Sequence, residues 1–257
     1  MPAPVSGSPF AVTGRVAVVT GGYGVLGGAI AAGLARAGAA IAILGRRPEA
    51  AAAQAAAIRR EGGDASVLIA DVLDEGQVRR ARDELLKTRG RVDILINAAG
   101  GNVARARSDD KPVFDVPFDA LDEVLRLNLH GTLIPSLIFG EVMGRQGSGC
   151  IVNISSMAAR RALSGVLGYS IAKAGIDSFT QWLAVDLARR YGDRLRVNAV
   201  APGFIVTEQN RNVLVKPDGS YTDRARAIVA HTPMGGSARR RKWSARCSGC
   251  AATRRRS

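Results

Sequence analysis

Ser156, Tyr169 and Lys173 are residue types that together can move a proton, and their spacing makes that use possible. Tyr169 and Lys173 stand four apart within a helical pattern, which puts them on one helix face. A phenol titrates near 10, so at neutral pH it serves as an acid or base only where its anion is stabilised. An ammonium one turn along supplies that stabilisation and can also hold a ribose hydroxyl. Ser156 follows an apolar run that reads as a strand, and its hydroxyl would hydrogen-bond a substrate oxygen as charge develops there. Ser155 competes with it for this role.

A second constellation suits a dinucleotide. Thr20-Gly21-Gly22-Tyr23-Gly24-Val25-Leu26-Gly27 follows an apolar strand pattern and opens a helical one. Small residues there let the backbone approach a pyrophosphate, and the helix N-terminus offers free N–H groups and the positive end of its dipole. The next strand ends in Gly45-Arg46-Arg47. It lacks the acid that would bind a ribose 2′-hydroxyl, and its two cations suit the 2′-phosphate of NADP, with NAD possible and solvated surface arginines as the plain alternative.

These residues need a scaffold, and the apolar pattern supplies one. Runs at 16–20, 40–44, 66–70, 93–96, 150–154 and 195–200 are almost continuously apolar, as strands covered on both faces are. Helical patterns at 25–37, 49–61, 75–89, 119–145 and 169–191 lie between them. The alternation predicts an α/β fold, a Rossmann-type doubly wound parallel sheet in a single domain over 13–234, with an extension at 1–12 and an aberrant basic tail at 235–257. The crevice then falls at the carboxyl ends of the strands, rimmed by the polar loop 101–118 and by a flap over 204–234.

The net charge of +14 raises nucleic acid as a partner, but its distribution argues against it. Eight basic residues and no acid follow Ser237, and without them the charge falls to +6. Cys247 and Cys250 sit in that tail without a second pair, a weak metal or redox signal, while Cys150 reads as a small core hydrophobe. No apolar run is long enough to span a bilayer, and the first residues lack a signal-peptide pattern, so the expectation is a cytoplasmic enzyme with no nucleic-acid or membrane partner.

On these residues the chain resembles the short-chain dehydrogenase/reductase family, over about residues 13–234. Thr20, Gly21 and Gly27 match its TGxxxGxG loop, with Val25 at the middle glycine and Gly24 one position earlier. Asp71-Val72 matches the adenine-contacting pair, Asn97-Ala98-Ala99-Gly100 the NNAG motif, and Pro202-Gly203 with Thr207 the nicotinamide-side loop. The resemblance implies a catalytic set of Asn128, Ser156, Tyr169 and Lys173, in which Asn128 holds a water that links Lys173 to solvent. It implies cofactor contacts from Gly21, Tyr23, Gly24, Leu26, Gly27, Arg46, Asp71, Val72, Asn97, Ala98, Ala99, Tyr169, Lys173, Pro202, Gly203 and Thr207. Several stretches, including Arg126–Pro135 (RLNLHGTLIP), Phe179–Val185 and Ala230–Gly235 (AHTPMG), resemble D-mannonate oxidoreductases, relatives of gluconate 5-dehydrogenase. That implies a sugar acid substrate, a ketone interconverted with a secondary alcohol. Arg211, Asn210 and Asn102 are candidates to meet its carboxylate; His231 reads equally as a site residue or a packed loop histidine, and Arg160-Arg161 equally as site residues or a solvated pair.

After Gly235 the family would continue with a helix and a last strand, and a homo-oligomer is implied if the C-terminus permits it. Here the residues have neither helical periodicity nor strand alternation. Codons exist for residues 235–250 that, given one extra base, regroup to GRFGEAEEVVGAVLWL, an amphipathic helix. The expectation is a reading frame shifted near Gly235 and a lost last helix and strand; the alternative is a genuine basic tail.

Overall fold

The computed structural model describes residues 12–204 and 211–232, apart from the side chains of residues 212 and 213. Six strands form one sheet: β1 (Val16–Thr20), β2 (Ala40–Gly45), β3 (Ala65–Ile69), β4 (Ile94–Asn97), β5 (Gly149–Ile154) and β6 (Leu195–Val200). All neighbours are parallel, in the order β3-β2-β1-β4-β5-β6. This is the doubly wound order of a Rossmann fold, which reverses direction between β1 and β4 and opens a crevice there.

The continuous apolar runs become strands because helices cover both faces. Side chains alternate across β1: Ala17 and Val19 join the core under α1 (Val25–Arg36) and α2 (Pro48–Arg60), with Ile30, Leu34 and Ile58. Val16 and Val18 join the opposite core, with Leu85 of α3 (Glu75–Arg89), Phe139 and Met143 of α5 (Gly131–Gln146), and Leu183 of α6 (Leu167–Tyr191). Helix signals fall where the sequence implies. Asp74 caps α3 by accepting the Gln77 N–H, Gly90 ends it in the left-handed region, and Pro48 opens α2. At the amino ends of the strands, buried Asp93 accepts hydrogen bonds from Arg15, Arg91 and the Val16 N–H.

The pattern at 119–145 is not one regular helix. α4 (Phe118–Leu125) passes through a π-helical turn at Arg126–His130 into α5. Pro135 lacks an N–H and crowds the carbonyl four residues back, at Gly131, where the wide turn ends. The rim loop 101–118 holds two 3₁₀ turns, Ala104–Ala106 and Val113–Asp115. In the flap region, α7 (Arg211–Leu214) and α8 (Asp223–Ala230) are joined through an antiparallel bridge between Val215 and Tyr221. Thr207, Asn210, Cys247, Cys250 and the expected frame shift lie outside the described residues.

Candidate active site

The glycine turn closes tightly after β1. Gly21 adopts a positive φ of 61°, and a Cβ there would come within 2.9 Å of the Ala99 Cα. A Cβ on Gly27 would lie 2.4 Å from the Gly21 carbonyl oxygen. Thr20 is buried, and its Oγ1 accepts the N–H groups of Ala98 and Ala99, both at 3.1 Å, which ties the loops after β1 and β4 together. The Gly24 N–H donates to the Gly21 carbonyl at 2.9 Å, so the turn ends at Gly24 and Val25 becomes the first helical residue. The start of α1 has no side-chain cap and no acid in its first turn. Its free N–H groups and positive dipole end therefore remain available to an anion.

At the end of β2, the Tyr23 ring packs onto Gly45, where a Cβ would meet it at 2.3 Å. The Arg47 guanidinium lies 4.8 Å from the centre of that ring and lines the cleft. Arg46 turns away toward Asp71, at 3.4 Å and largely exposed, so Arg47 rather than Arg46 occupies the wall. Asp71 accepts the Leu73 N–H at 2.9 Å, and Val72 is buried beneath Gly131. Asn97 also lies beneath the cleft. Its amide donates to Ser136 and Asn153 at 2.8 Å, and Asn153 donates to Thr180 at 2.9 Å, a buried chain that joins β4, β5, α5 and α6. Asn97 thus supports the floor and does not line the cleft.

Ser156, Tyr169 and Lys173 meet opposite the glycine turn, all three in the cleft wall. Ser156 caps a short 3₁₀ turn, its Oγ accepting the Ala158 N–H at 3.1 Å. The Lys173 ammonium is buried, donates to the Ile154 carbonyl at 2.7 Å, and lies 5.4 Å from the centre of the Tyr169 ring. Burial pulls its pKa down to about 8, against the opposing pull of the Asp177 carboxylate one turn further along α6. Burial also pushes the Tyr169 phenol up, opposed by its hydrogen bond with Ser156. In the free chain Tyr169 is therefore protonated at neutral pH, because desolvation outweighs the hydrogen bond from Ser156.

Asn128 sits at the centre of the π-helical turn, fully buried. Its Oδ1 accepts the Gly101 N–H at 3.1 Å, and its Nδ2 donates to the Gly101 and Val124 carbonyls, both at 2.8 Å. Both amide N–H groups are used, so the side chain pins the loop after β4. Gly100 makes the approach possible: at φ 149°, a Cβ there would lie 2.6 Å from Asn128 Oδ1.

The cleft has a volume of about 420 Å³. Gly24, Leu26, Gly27, Ala98, Ala99, Pro202 and Gly203 line it. Of the carboxylate candidates, Asn102 lines it, whereas exposed Arg211 does not. Arg107 and Arg224 do line it, and sequence reasoning missed both. His231 hydrogen-bonds its own helix through the Ala227 carbonyl at 2.8 Å, Arg160 pairs with Asp177 at 3.3 Å, and Cys150 is buried. Among the described residues, no cluster of His, Cys, Asp and Glu could hold a metal, and no helix is long and apolar enough to cross a membrane.

Comparison with known proteins agrees with this geometry. Residues 15–217 match the family described as short chain dehydrogenase. An uncharacterized oxidoreductase of Bacillus subtilis (strain 168) is 41% identical over 232 residues, 87% of this chain and 82% of that protein. A crystal structure with bound NAD, of a protein provisionally named as a D-mannonate oxidoreductase from Haemophilus influenza, superposes with a TM-score of 0.86 at 36% identity, covering 93% of this chain and 88% of that one. A gluconate 5-dehydrogenase from Burkholderia cenocepacia J2315, in complex with NADP and tartrate, gives a TM-score of 0.85 at 32% identity over 95% of this chain and 90% of that one.

Proposed function

The chain belongs to the short-chain dehydrogenase family and is an oxidoreductase; from that premise we propose that it interconverts a ketone and a secondary alcohol on a sugar acid, with NADP(H) as its preferred cofactor. The observation that carries this reading is the meeting of Ser156, Tyr169 and Lys173 in one cleft wall opposite the uncapped start of α1. A dinucleotide pyrophosphate fits that start, where Gly21 and Gly27 leave no room for a Cβ and no side chain competes for the N–H groups. When bound, the nicotinamide supplies or accepts the hydride.

The chain's own residues handle the proton and the oxygen. In the reducing direction, Ser156 donates a hydrogen bond to the carbonyl oxygen and holds it against Tyr169. Tyr169 gives its phenolic proton to that oxygen as it becomes a hydroxyl. The phenolate left behind is stabilised by Lys173, whose burial strengthens the attraction. Lys173 also offers a donor to the cofactor ribose. Asn128 acts through the backbone, keeping Gly101 and the loop after β4 in the shape that forms the cofactor wall. Arg47 on Tyr23, with no acid at the end of β2, supports NADP over NAD. The sugar acid is supported by the relatives named for mannonate and gluconate.

Oxidation of NADPH and NADH is the test, with fructuronate, 5-ketogluconate and neutral ketones of matching length as substrates. Faster turnover of NADPH with a sugar acid is expected. Cofactor binding without turnover of any ketone would replace this reading with that of a nucleotide binder.

A further inference from the structure

Three charged groups converge at the cleft rim, two from the loop after β4 and one from α8. Asp109, in the rim loop, accepts from Arg107 Nε at 2.6 Å on one carboxylate oxygen and from Arg224 Nη1 on the other. Arg224 comes from α8 and also donates to the Ser164 carbonyl at 3.0 Å. The Ser108 N–H donates to the Gly165 carbonyl at 3.2 Å, which joins the rim loop to the segment before α6. Gly165 has a φ of 75°, and a Cβ there would lie 2.4 Å from Asp109 Oδ1, so the carboxylate has its place only because this residue is glycine.

All three side chains are partly withdrawn from water, at 23% exposure for Arg107, 26% for Asp109 and 30% for Arg224. Partial burial pushes the Asp109 carboxyl up, but its hydrogen bonds with Arg107 and Arg224 outweigh that and hold it below the usual carboxylate range. Asp109 therefore stays ionised and the cluster keeps one positive charge in excess. A guanidinium presents five N–H donors on more than one edge. Among the described residues, Arg107 spends Nε and Nη2 on Asp109, and Arg224 spends Nη1 and Nη2 on Asp109 and Ser164. Donors are left over on both. Both arginines line the same cleft as Ser156 and Tyr169, so the excess positive charge lies at that cleft.

We infer that Arg107 and Arg224, oriented by Asp109, are the subsite for the carboxylate of the substrate. The inference rests on the sugar-acid reading and assigns that recognition to these residues in place of Arg211. Asp109 takes one edge of the arginine pair and leaves the rest preorganised for a second, incoming carboxylate. Because Arg224 belongs to α8, the same contact brings that helix into the subsite.

Arg107→Gln and Arg224→Gln test it, through the ratio of kcat/KM for a sugar acid ketone, fructuronate, to that for the neutral ketose fructose. A charge-assisted hydrogen bond of this kind lost from a partly dehydrated site corresponds to a ten- to hundredfold fall in that ratio, carried by the KM of the acid. Arg107→Lys keeps the charge without the fork and should recover part of the loss. Thermal melts identify any variant that fails to fold, in which case the lysine variant carries the comparison. If the acid and the neutral ketose lose activity by the same factor, or the ratio does not move, the subsite is wrong while the sugar-acid reading stands. Turnover of neutral ketones alone by the unaltered enzyme would overturn both.

Discussion

Replacing Lys173 by Met should stabilise the protein by an amount that depends on pH. Lys173 is 4% exposed, and among the described residues the hydrogen-bond acceptor of its ammonium is the Ile154 carbonyl at 2.7 Å. Burial lowers its pKa from 10.5 to about 8, so the folded state holds the charged form less readily than the unfolded chain does. Below pH 8 both states carry the proton, and burying the charge costs the folded state its full penalty, on the order of 3 kcal/mol. Between pH 8 and 10.5 the unfolded chain binds the extra proton, so this group makes stability rise with pH by roughly 1.4 kcal/mol per unit. Above 10.5 both states are neutral and the penalty has gone. Methionine has a similar length and no titration. The variant's advantage over the parent should therefore be about 3 kcal/mol larger at pH 7 than near pH 10.5, where groups common to both proteins cancel. Urea unfolding followed by tryptophan fluorescence, on both proteins at both pH values, measures this difference directly. An advantage equal at the two pH values would refute the reasoning, because the buried ammonium would then not be the source.

Other perturbations test neighbouring parts of the structure. Asp177→Asn removes the carboxylate that opposes the burial penalty on Lys173, and should move the limb of the pH–rate profile assigned to Lys173 to lower pH, with little change in the KM for cofactor. Arg47→Ala should raise the KM for NADPH by about tenfold or more and leave that for NADH nearly unchanged, the selectivity of a lost phosphate contact; equal effects on both would remove Arg47 from the 2′-phosphate site. Asp93→Ala breaks a buried acceptor of Arg15, Arg91 and the Val16 N–H, far from the cleft, and should cost about 3 kcal/mol in urea unfolding. Burial pushes the Asp93 carboxyl up, but its hydrogen bonds hold it below the usual 3.8, so the stability it provides is present above that pH and lost as pH falls through the folded value; parent and variant should converge in acid.

Much of this arrangement was legible because strands covered on both faces write themselves as apolar runs, and β1 and β6 fall where those runs do. The glycine turn and the Tyr169–Lys173 pair were legible because their constraints are local: a close backbone approach, and one helix face. Other features depend on tertiary contact. The π-helical turn at Arg126–His130 lies inside one apolar helical pattern in which Pro135 is the local sign of irregularity, and nothing local marks the contact of Asn128 with Gly101. Asn97 occupies a motif position that reads as a cleft residue, yet its side chain points into the buried chain with Ser136 and Asn153, a direction that residue type does not reveal. Arg107 and Arg224 were hidden among 36 basic residues, and meet only because Asp109, 115 positions before Arg224, stands between them. The pairing of Arg107 with Asp109 two residues later was a local hint.

The central claim is that Tyr169 supplies the proton to the substrate oxygen, and Tyr169→Phe removes only its hydroxyl. Proton transfer by a positioned group is worth about 10²–10⁴ in rate. The measurement is NADPH oxidation with fructuronate by the parent and the variant, alongside NADPH affinity by fluorescence titration. A fall in kcat of at least that size, with NADPH affinity within a few-fold of the parent, is the predicted result. A variant that retains more than about a tenth of the parent kcat would contradict the assignment, because another group would then be delivering the proton.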